Sequence, residues 1–477
     1  MYLPLILFGL PILSILFLAF NSKGQNMEKN DLLIALSLSI LNLFHTFLII
    51  LMYDPNFSNF QFQLLDIIIG GIDSLSIWLI LLVNLIIPIV ILDSWKTINE
   101  NRKKYIILVL LVQFWSIAVF FVLDLILFYI SFEAILIPMY LLIGFYGSRN
   151  KKIEEAQNKF FIYTLVGSLF LLIAILIIWT QTGTTDYQLL LTTPFNNTFQ
   201  IFLFIAFFIA FAIKTPMWPF HIWLPVAHGE SSTGTSVILA AILLKLGSYG
   251  FLRYSLALFP YACHTLKSFV FILAIISIIF SCISAFSLLD LKSIIAYSSI
   301  AHMNVGVIGI FSNDLNGLSG AYVYSISHGL ASSGLFLLAG YLYERYHTKT
   351  LMYYRGLALF MPLFITILFF FSLSNISFPL TLGFIAEFMI LLSTIEISPF
   401  ITMSTVLVTI LLPFYFIWTF QRISFGSISN YLPKLYQDMN IKEFNLLLPL
   451  FILIIYFGIM PNKLLDMTKI SLFNLLY

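Results

Sequence analysis

The sequence has few charged residues, few cysteines and no nucleotide-binding motif. Charged residues make up 9% of the 477 residues and hydrophobic ones 61%, whereas about 25% of the residues in a soluble domain are charged. This composition excludes a soluble globular protein. It predicts a membrane protein with many spans, which leaves little sequence for any soluble domain.

The two cysteines exclude several kinds of redox site. Cys263 and Cys282 form no C-x-x-C pair, no thiolate set for an iron–sulfur cluster and no disulfide framework, and we expect both to be buried packing residues. No G-x-G-x-x-G or Walker motif is present. His221 and His228 stand on either side of Pro225 without further ligands. We therefore expect no cofactor, metal or ATP on this chain.

The first apolar run, Tyr2 to Phe20, lacks the basic n-region and cleavage site of a signal peptide and the arginines of a transit peptide. We interpret it as a retained first span. A span needs about 20 apolar residues, and the whole chain contains about fourteen such stretches. They are residues 2–20, 32–53, 67–92, 105–121, 123–146, 160–180, 199–226, 235–258, 266–288, 293–311, 320–342, 359–395, 400–419 and 445–460.

The basic residues test this count, because loops on the inner side of a membrane hold the excess of Lys and Arg. Most of the basic residues fall in loops after odd-numbered spans, and they include Lys23, Lys29, Lys96, Arg102, Lys103, Lys104, Arg149, Lys151, Lys152, Lys159, Lys292, Arg345, Lys349, Arg355, Arg422, Lys434 and Lys442. The opposite face holds only Arg253, Lys267, Lys463 and Lys469. This alternation predicts that both termini lie on the outer side.

Two of the spans are irregular. The run from Phe199 to Ile213 is too short to cross the membrane as a helix, and prolines at 216, 219 and 225 follow Lys214. Because proline lacks an amide hydrogen and disfavours helix in the residue before it, we expect a break beside Lys214. Residues 359–395 are too long for one straight span and contain Asn375 and Pro379. Paired broken helices are typical of inverted-repeat transporters, whose ion sites lie at the breaks.

Four charged residues lie well inside the predicted spans, away from their ends: Glu133, Lys214, Lys245 and Glu387. A charge at the bilayer centre costs roughly 2.5 to 3.5 kcal/mol on insertion scales, so such residues usually face protein or water and mark an ion path. Glu133 lies five residues before Pro138, whose ring disturbs the helix, and we expect it to pair with Lys214. The alternative is a static ion pair that only fixes the packing of the helices.

Lys245 and two histidines extend this set. Lys245 lies in a stretch with Gly247, Ser248 and Gly250, small residues that allow another helix to approach closely. His302 and His328 fall on successive spans, and imidazole can both accept and donate a proton near neutral pH. The alternative for each histidine is a hydrogen-bonded core residue.

Several segments resemble the antiporter-like subunits of respiratory complex I. They are residues 214–228, the Leu-Leu-Lys-Leu-Gly segment around Lys245, residues 290–302 and residues 384–388. The similarity runs from about residue 65 to residue 425. The glutamate at position 387 narrows the resemblance to one group of these subunits, because the other members and related sodium/proton antiporters tend to carry lysine at the corresponding position.

The resemblance implies an all-α fold with two inverted five-helix repeats, each with a discontinuous helix, and a line of charged residues along the membrane plane. It implies that Glu133 partners Lys214, that Lys245 is the next relay site, that His302 and His328 form a polar bridge and that Glu387 is the terminal site. The corresponding division is residues 1–104 for the first three spans, 105–258 and 259–425 for the two repeats, and 426–477 for a loop and the last span.

The resemblance also implies a function and its setting. We expect a redox-silent, proton-translocating subunit of NADH:ubiquinone oxidoreductase, with NAD, FMN, iron–sulfur clusters and ubiquinone bound elsewhere in the complex. Expected partners are other membrane-arm subunits, with homologues of subunits 2 and 5 as neighbours, and lipids, but not nucleic acid. A sodium/proton antiporter subunit and a non-conducting structural subunit are the alternatives. The Ile, Phe, Leu and Asn bias indicates a mitochondrial inner membrane, with a bacterial plasma membrane as the alternative.

Overall fold

The computed structural model describes residues 3–20, 27–57, 60–64, 70–98, 100–148, 152–427 and 437–476. Helices dominate these residues, and the one sheet in them is a hairpin of β1 (Gln61–Leu64) and β2 (Gly70–Ile72). The α-helices are α1 (Leu3–Phe20), α2 (Met27–Met52), α3 (Ser74–Thr97), α4 (Arg102–Phe121), α5 (Leu125–Ala134), α6 (Leu136–Tyr146), α7 (Lys152–Thr182), α8 (Tyr187–Leu190), α9 (Asn197–Lys214), α10 (Trp223–Glu230), α11 (Thr233–Ile238), α12 (Leu244–Gly250), α13 (Pro260–Ser287), α14 (Leu291–Ile310), α15 (Leu315–Tyr346), α16 (Pro362–Asn375), α17 (Leu382–Ile397), α18 (Pro399–Ser424), α19 (Ile441–Ile459) and α20 (Asn462–Phe473).

Within the described ranges, 12 helical stretches are long and apolar enough to cross a membrane, and α16 is a shorter apolar helix. Each of the fourteen predicted spans overlaps one or more helices. The prediction of an all-α membrane protein with many spans is therefore confirmed. The inverted repeats and the division at residues 104, 258 and 425 stay predictions, and four of the basic residues used to orient the chain lie outside the described residues: Lys23, Arg149, Lys151 and Lys434.

Some predicted boundaries were wrong. The third span was predicted to begin at residue 67, but α3 begins at Ser74, after the hairpin. Asp73 caps this helix: its carboxylate accepts from the Ser76 amide, and the Ser76 hydroxyl accepts from the Asp73 amide. This reciprocal capping box fixes the helix start. The C-terminal helix α20 was not predicted, because its alternation of polar and apolar residues does not form a continuous apolar run.

Two π-helical segments, Leu239–Leu243 and Phe251–Leu256, interrupt the helical stretch from Thr233 to Leu256. Hydropathy did not predict them, because a π turn changes the backbone hydrogen bonding without changing the apolar pattern. Segments of this kind occur mostly as single-turn insertions in α-helices and are frequent at functional sites. Here one segment precedes the helix that carries Lys245 and the other follows it.

All three predicted helix defects are present. The helix carrying Glu133 is interrupted between α5 and α6, four residues after Ser131 and three before Pro138. Helix α9 ends at Lys214, and α16 ends at Asn375, with α17 starting at Leu382. Between α16 and α17, Ser377 and Leu380 have φ values of 61° and 75°. This left-handed conformation interrupts a right-handed helix.

The chain forms two compact units. The first consists of residues 1–215, 242–267 and 466–477, and the second of residues 216–241 and 268–465. In the first unit α3 and α4 are the most deeply buried of the long helices, and α1 and α2 pack beside them. In the second unit α14 and α15 form the core, and α17 packs along α15.

Candidate functional site

Lys214 lies at the last position of α9 and is almost completely buried, with 1% of its surface exposed. The helix ends there because Pro216 cannot continue it. The amide and the hydroxyl of Thr215 both donate to the Phe211 carbonyl, each at 2.8 Å, and so close the last turn. A cation at this end is favoured by the partial negative charge of the helix C-terminus.

The surroundings of Lys214 are aromatic and acidic. Its ammonium nitrogen lies 4.8 Å from the centre of the Phe132 ring, a cation–π distance. Glu133, the next residue on α5, is the charge that acts on it. Lys214 Nζ has no hydrogen-bond partner among the described residues, so the two side chains interact through charge without a direct bond.

Glu133 lies one residue before the end of α5, beside the interruption that precedes Pro138. The Ser168 hydroxyl of α7, which donates to the Leu165 carbonyl at 2.9 Å, acts electrostatically on the Glu133 carboxylate, and Oε2 of Glu133 is buried without a hydrogen bond to any described residue. Ser168 was not among the predicted residues. A carboxylate with one oxygen uncommitted, near a lysine that makes no direct bond, leaves both groups able to exchange a proton.

Lys245 is fully buried in α12, in the first unit. A snorkelling lysine would keep its ammonium group exposed, whereas Lys245 has no exposed surface. Two residues on, Gly247 allows α12 to pack directly on the end of α9. The prediction that small residues permit a close helix approach is therefore confirmed at this position.

The two predicted histidines meet in the second unit. His302 of α14 and His328 of α15 are both buried, and their ring centres are 5.6 Å apart. His302 Nδ1 and the Tyr324 hydroxyl, also on α15, are 2.5 Å apart and share a hydrogen bond. These three side chains line a small cavity of about 10 Å³, together with Ser327, Ala331, Ser374, Asn375 and Ser377. This volume is close to the minimum that one water molecule needs.

Glu387 lies in the second turn of α17 and is buried, with 5% of its surface exposed. The Ser377 hydroxyl lies in the gap before α17 and acts electrostatically on the Glu387 carboxylate and on the Tyr324 hydroxyl. Glu387 Oε1 itself is buried without a hydrogen bond to any described residue. The hydroxyls of Tyr324 and Ser377 therefore lie between His302 and Glu387.

The structure brings the predicted residues together in two groups. Glu133 and Lys214 interact in the first unit, which also contains Lys245, and His302, His328 and Glu387 lie in the second unit. The step from Lys245 to His302 stays a prediction. Sequence reasoning missed Tyr324 and Ser377. The spacing of Tyr324 could have predicted its place in the site, because it stands four residues before His328 and so lies on the same face of the helix.

Asp73, Arg253 and Lys292 lie at the ends of helical spans, and the structure shows that all three are nevertheless buried. Arg253 lies in the second π segment, is 4% exposed and pairs with Asp73 at 2.5 Å. Lys292 is 7% exposed and donates to the Ser231 carbonyl at 3.0 Å. Hydropathy placed these residues by their distance from apolar runs, but packing decides whether a helix end is covered.

Neither cysteine pairs with the other, and both are buried, as expected for packing residues. In the described ranges no group of three or more His, Cys, Asp and Glu side chains has the geometry to hold a metal ion.

Residues 122–413 match the model of a protein family described as "NADH:quinone oxidoreductase/Mrp antiporter, TM". A Chondrus crispus protein named NADH-ubiquinone oxidoreductase chain 4 is 45% identical, and the match covers 99% of this chain and 97% of the relative. The Arabidopsis thaliana protein of the same name is 42% identical, over 98% and 95%. The chain belongs to the NADH-ubiquinone oxidoreductase chain 4 family. The predicted resemblance to the complex I antiporter-like subunits, narrowed to subunit 4 by Glu387, is thus confirmed.

A solved structure supports the same assignment. A chain of respiratory complex I from Thermus thermophilus with bound NADH is 27% identical, with a TM-score of 0.88, and the match covers all of both chains. The chain 4 family is thus an antiporter-like membrane family, and the sequence and fold of this chain match it over nearly the full length.

Proposed function

We propose that this chain is the redox-silent, proton-translocating chain 4 of NADH:ubiquinone oxidoreductase. It moves protons through a buried relay of Glu133, Lys214, Lys245, His302, His328 and Glu387, and the energy comes from NADH oxidation elsewhere in the complex. NAD, FMN, iron–sulfur clusters and ubiquinone bind to other subunits. The name and sequence of the chain 4 relatives support this assignment.

One observation carries the proposal: Lys214 is buried at a helix break, faces the charge of Glu133 and makes no direct hydrogen bond to a described residue. A lysine held by a direct, buried ion pair would be locked in its charged form, since breaking such a pair costs several kcal/mol. A lysine held only through charge and an aromatic ring keeps its proton while Glu133 is ionised. It releases the proton when that charge is neutralised or withdrawn.

The cycle follows from this arrangement. Glu133 holds Lys214 protonated until the interaction weakens, and the proton then moves to Lys245. It passes on through His302 and His328 to Glu387 and leaves on the outer side. Electrostatic changes in neighbouring membrane subunits, transmitted sideways, drive each step.

The setting of the chain is part of the proposal. It lies in the mitochondrial inner membrane with both termini on the outer side, consistent with the excess of basic residues in the opposite loops. Its neighbours in the membrane arm are the homologues of chains 2 and 5. Membrane lipids surround its apolar helices.

The test replaces Lys214 by methionine, which keeps the length of the side chain and removes its charge. The intact complex is studied in sealed membrane vesicles, where NADH oxidation and proton uptake are measured together, and assembly is checked on native gels. We expect Lys214→Met to assemble and to lose the proton translocation coupled to NADH oxidation.

The matched control is Lys159→Met, because Lys159 is a surface lysine of α7 that pairs with Glu155 one turn away. This variant should translocate protons normally. An unchanged ratio of protons to NADH in Lys214→Met would refute the role of Lys214.

A further inference from the structure

Two hydroxyl groups lie between His302 and Glu387 in the second unit. The Tyr324 hydroxyl bonds to His302 Nδ1 at 2.5 Å, and Ser377 lines the same small cavity. From there the Ser377 hydroxyl acts electrostatically on both Tyr324 and Glu387. We propose that Tyr324 and Ser377 carry the proton between His302 and Glu387. This inference rests on the proposed function and adds two proton carriers that have no charge of their own.

The helix break creates this connection. Ser377 has a φ of 61°, so the chain turns sharply between α16 and α17. The hydroxyls of Ser327 and Ser377 would each stand 3.1 Å from a β-carbon at Gly383, one turn before Glu387. A glycine at 383 therefore allows both hydroxyls to lie directly against α17. Without the break, a continuous helix would hold its own backbone bonds and would not present Ser377 here.

The chemistry of the step is a proton exchange along hydroxyls. A hydroxyl has one donor and two acceptor sites, so it can release its own proton to one neighbour while it takes a proton from the other. His302 loses a proton, Glu387 gains one, and Tyr324 and Ser377 end as neutral as they began. The two hydroxyl groups only need to rotate about their C–O bonds before the next transfer.

The small cavity beside these groups supports the same role. It is lined by His302, Tyr324, His328 and Ser377 among others, and its volume of about 10 Å³ is close to that needed for one water molecule. One water molecule in this cavity would complete a set of donors and acceptors that leads from His302 through Tyr324 and Ser377 toward Glu387.

The test is Tyr324→Phe, which removes the hydroxyl and keeps the ring, in the intact complex in sealed vesicles. A positioned proton donor or acceptor contributes roughly 10²- to 10⁴-fold to a proton transfer. We therefore expect coupled proton translocation to fall at least about tenfold. The matched control is Tyr346→Phe, in the same helix, whose hydroxyl contacts the Met361 sulfur at 3.6 Å and should not matter.

A second readout separates a relay from a packing role. If the hydroxyl carries protons, its loss makes proton transfer limiting, and the ratio of rates in H₂O and D₂O rises in Tyr324→Phe. A fall in rate with an unchanged ratio would overturn the inference in favour of packing. If Tyr324→Phe does not assemble, Ser377→Ala takes its place, with Ser372→Ala as its control, because the Ser372 hydroxyl bonds only the Phe369 carbonyl in the hydrogen bonds described.

The inference and the proposed function fail in different ways. Normal translocation by Tyr324→Phe alongside loss in Lys214→Met overturns the hydroxyl connection and leaves the proposed function standing. Normal translocation by both variants overturns both.

A different observation, in the first unit, points to a buried water site. Asn42 of α2, Asn84 of α3 and Gln113 of α4 are each fully buried. Asn42 Nδ2 donates to the Leu7 carbonyl of α1 at 3.3 Å and to Asn84 Oδ1 at 3.4 Å, and Gln113 Nε2 donates to Asn84 Oδ1 at 2.7 Å. The amide cluster formed by these three side chains therefore joins four helices.

The hydrogen bonds of the amide cluster fix the orientation of all three amides. The Leu7 carbonyl only accepts, so the Asn42 atom facing it is nitrogen. The Asn84 atom facing that nitrogen is then oxygen, and the Gln113 atom facing that oxygen is nitrogen. Three buried atoms remain without a described partner: Asn42 Oδ1, Gln113 Oε1 and Asn84 Nδ2.

These atoms are two acceptors and one donor, which is the set that a single water molecule satisfies by donating twice and accepting once. Buried waters typically make about three such bonds. We infer that one water molecule binds within the amide cluster and completes the polar connection between α1, α2, α3 and α4.

A cryo-EM map of the intact complex at about 2 Å resolution tests this inference. We expect density for one water within hydrogen-bond distance of the three atoms, and its loss in Gln113→Leu. Absence of the density in a map that shows ordered waters elsewhere in the membrane arm would overturn the inference. A map in which the three amide atoms bond directly to one another, with no water between them, would also overturn the inference.

Discussion

Gly247 packs against Thr215 so closely that a β-carbon at 247 would stand 2.9 Å from the Thr215 amide nitrogen and 2.9 Å from the Phe211 carbonyl oxygen. Gly247 follows Lys245 by two residues, and Thr215 directly follows Lys214. The contact therefore sets how closely the helix of one buried lysine approaches the helix end of the other.

Gly247→Ala should displace these two elements. The Thr215 methyl carbon would stand closer still, at 2.6 Å. The two backbone atoms cannot move cheaply, and overpacking typically costs about 1 to 3 kcal/mol. We expect a lower melting temperature of the assembled complex, together with reduced proton translocation per NADH.

Gly306→Ala is the control for Gly247→Ala. Nothing lies within 4 Å of a β-carbon at Gly306, inside α14, and alanine favours helix over glycine by up to about 1 kcal/mol. This variant should be as stable as the parent or more so. Equal stability of Gly247→Ala and Gly306→Ala would show that the close approach is unimportant.

Arg253→Met should destabilise the first unit strongly. Arg253 and Asp73 form an ion pair whose side chains are 5% and 7% exposed, and the guanidinium also lies near the rings of Phe60, Tyr187 and Tyr249. Removing one partner of a buried pair typically costs 3 to 5 kcal/mol, because the other charge stays buried. Thermal denaturation of the complex measures this loss.

Replacing both partners distinguishes the ion pair from simple packing. Arg253→Met with Asp73→Asn should recover part of the stability, since no unpaired charge remains. Lys159→Met breaks an exposed ion pair between residues one helix turn apart and should leave the melting temperature almost unchanged, because solvent screens such a pair. A double variant that is much less stable than Arg253→Met alone would contradict this interpretation, because the second substitution would then add its own large loss of stability.

Glu133→Gln should impair translocation without preventing assembly. The substitution keeps the shape of the side chain but removes the charge that acts on Lys214, so the lysine loses the partner that holds its proton. We expect proton uptake per NADH to fall in sealed vesicles. Glu155→Gln, on the exposed start of α7, is the control and should behave as the parent; a normal ratio in both variants would contradict the role of Glu133.

The sequence predicted the helices and their defects well because both have local causes. A long apolar run dictates a membrane helix, and Pro138, Pro216 and Pro379 prevent regular hydrogen bonding in their own neighbourhood. The charged residues were found by the same local reasoning, since each one stands out within an apolar run. None of this requires knowledge of which helices are neighbours.

The start of α3 and the partner of Arg253 could not be predicted in this way. The hairpin before α3 depends on pairing between two short strands, and Arg253 meets Asp73 across 180 positions of the chain. Hydropathy has no information on such distant pairs. Tyr324 and Ser377 were not predicted either. Neither residue is charged, and the importance of each depends on the residues that surround it in the folded protein.

By itself, the sequence determined that the chain is a helical membrane protein, where its helices break and which ionisable groups are buried, because hydrophobic length, proline geometry and the cost of burying charge act within one segment. Only the tertiary structure decided that Lys214 meets Glu133 through charge without a direct bond, and that two hydroxyls stand between His302 and Glu387. Those relationships depend on how separate helices pack, and packing is settled by the fit of side chains far apart in the chain.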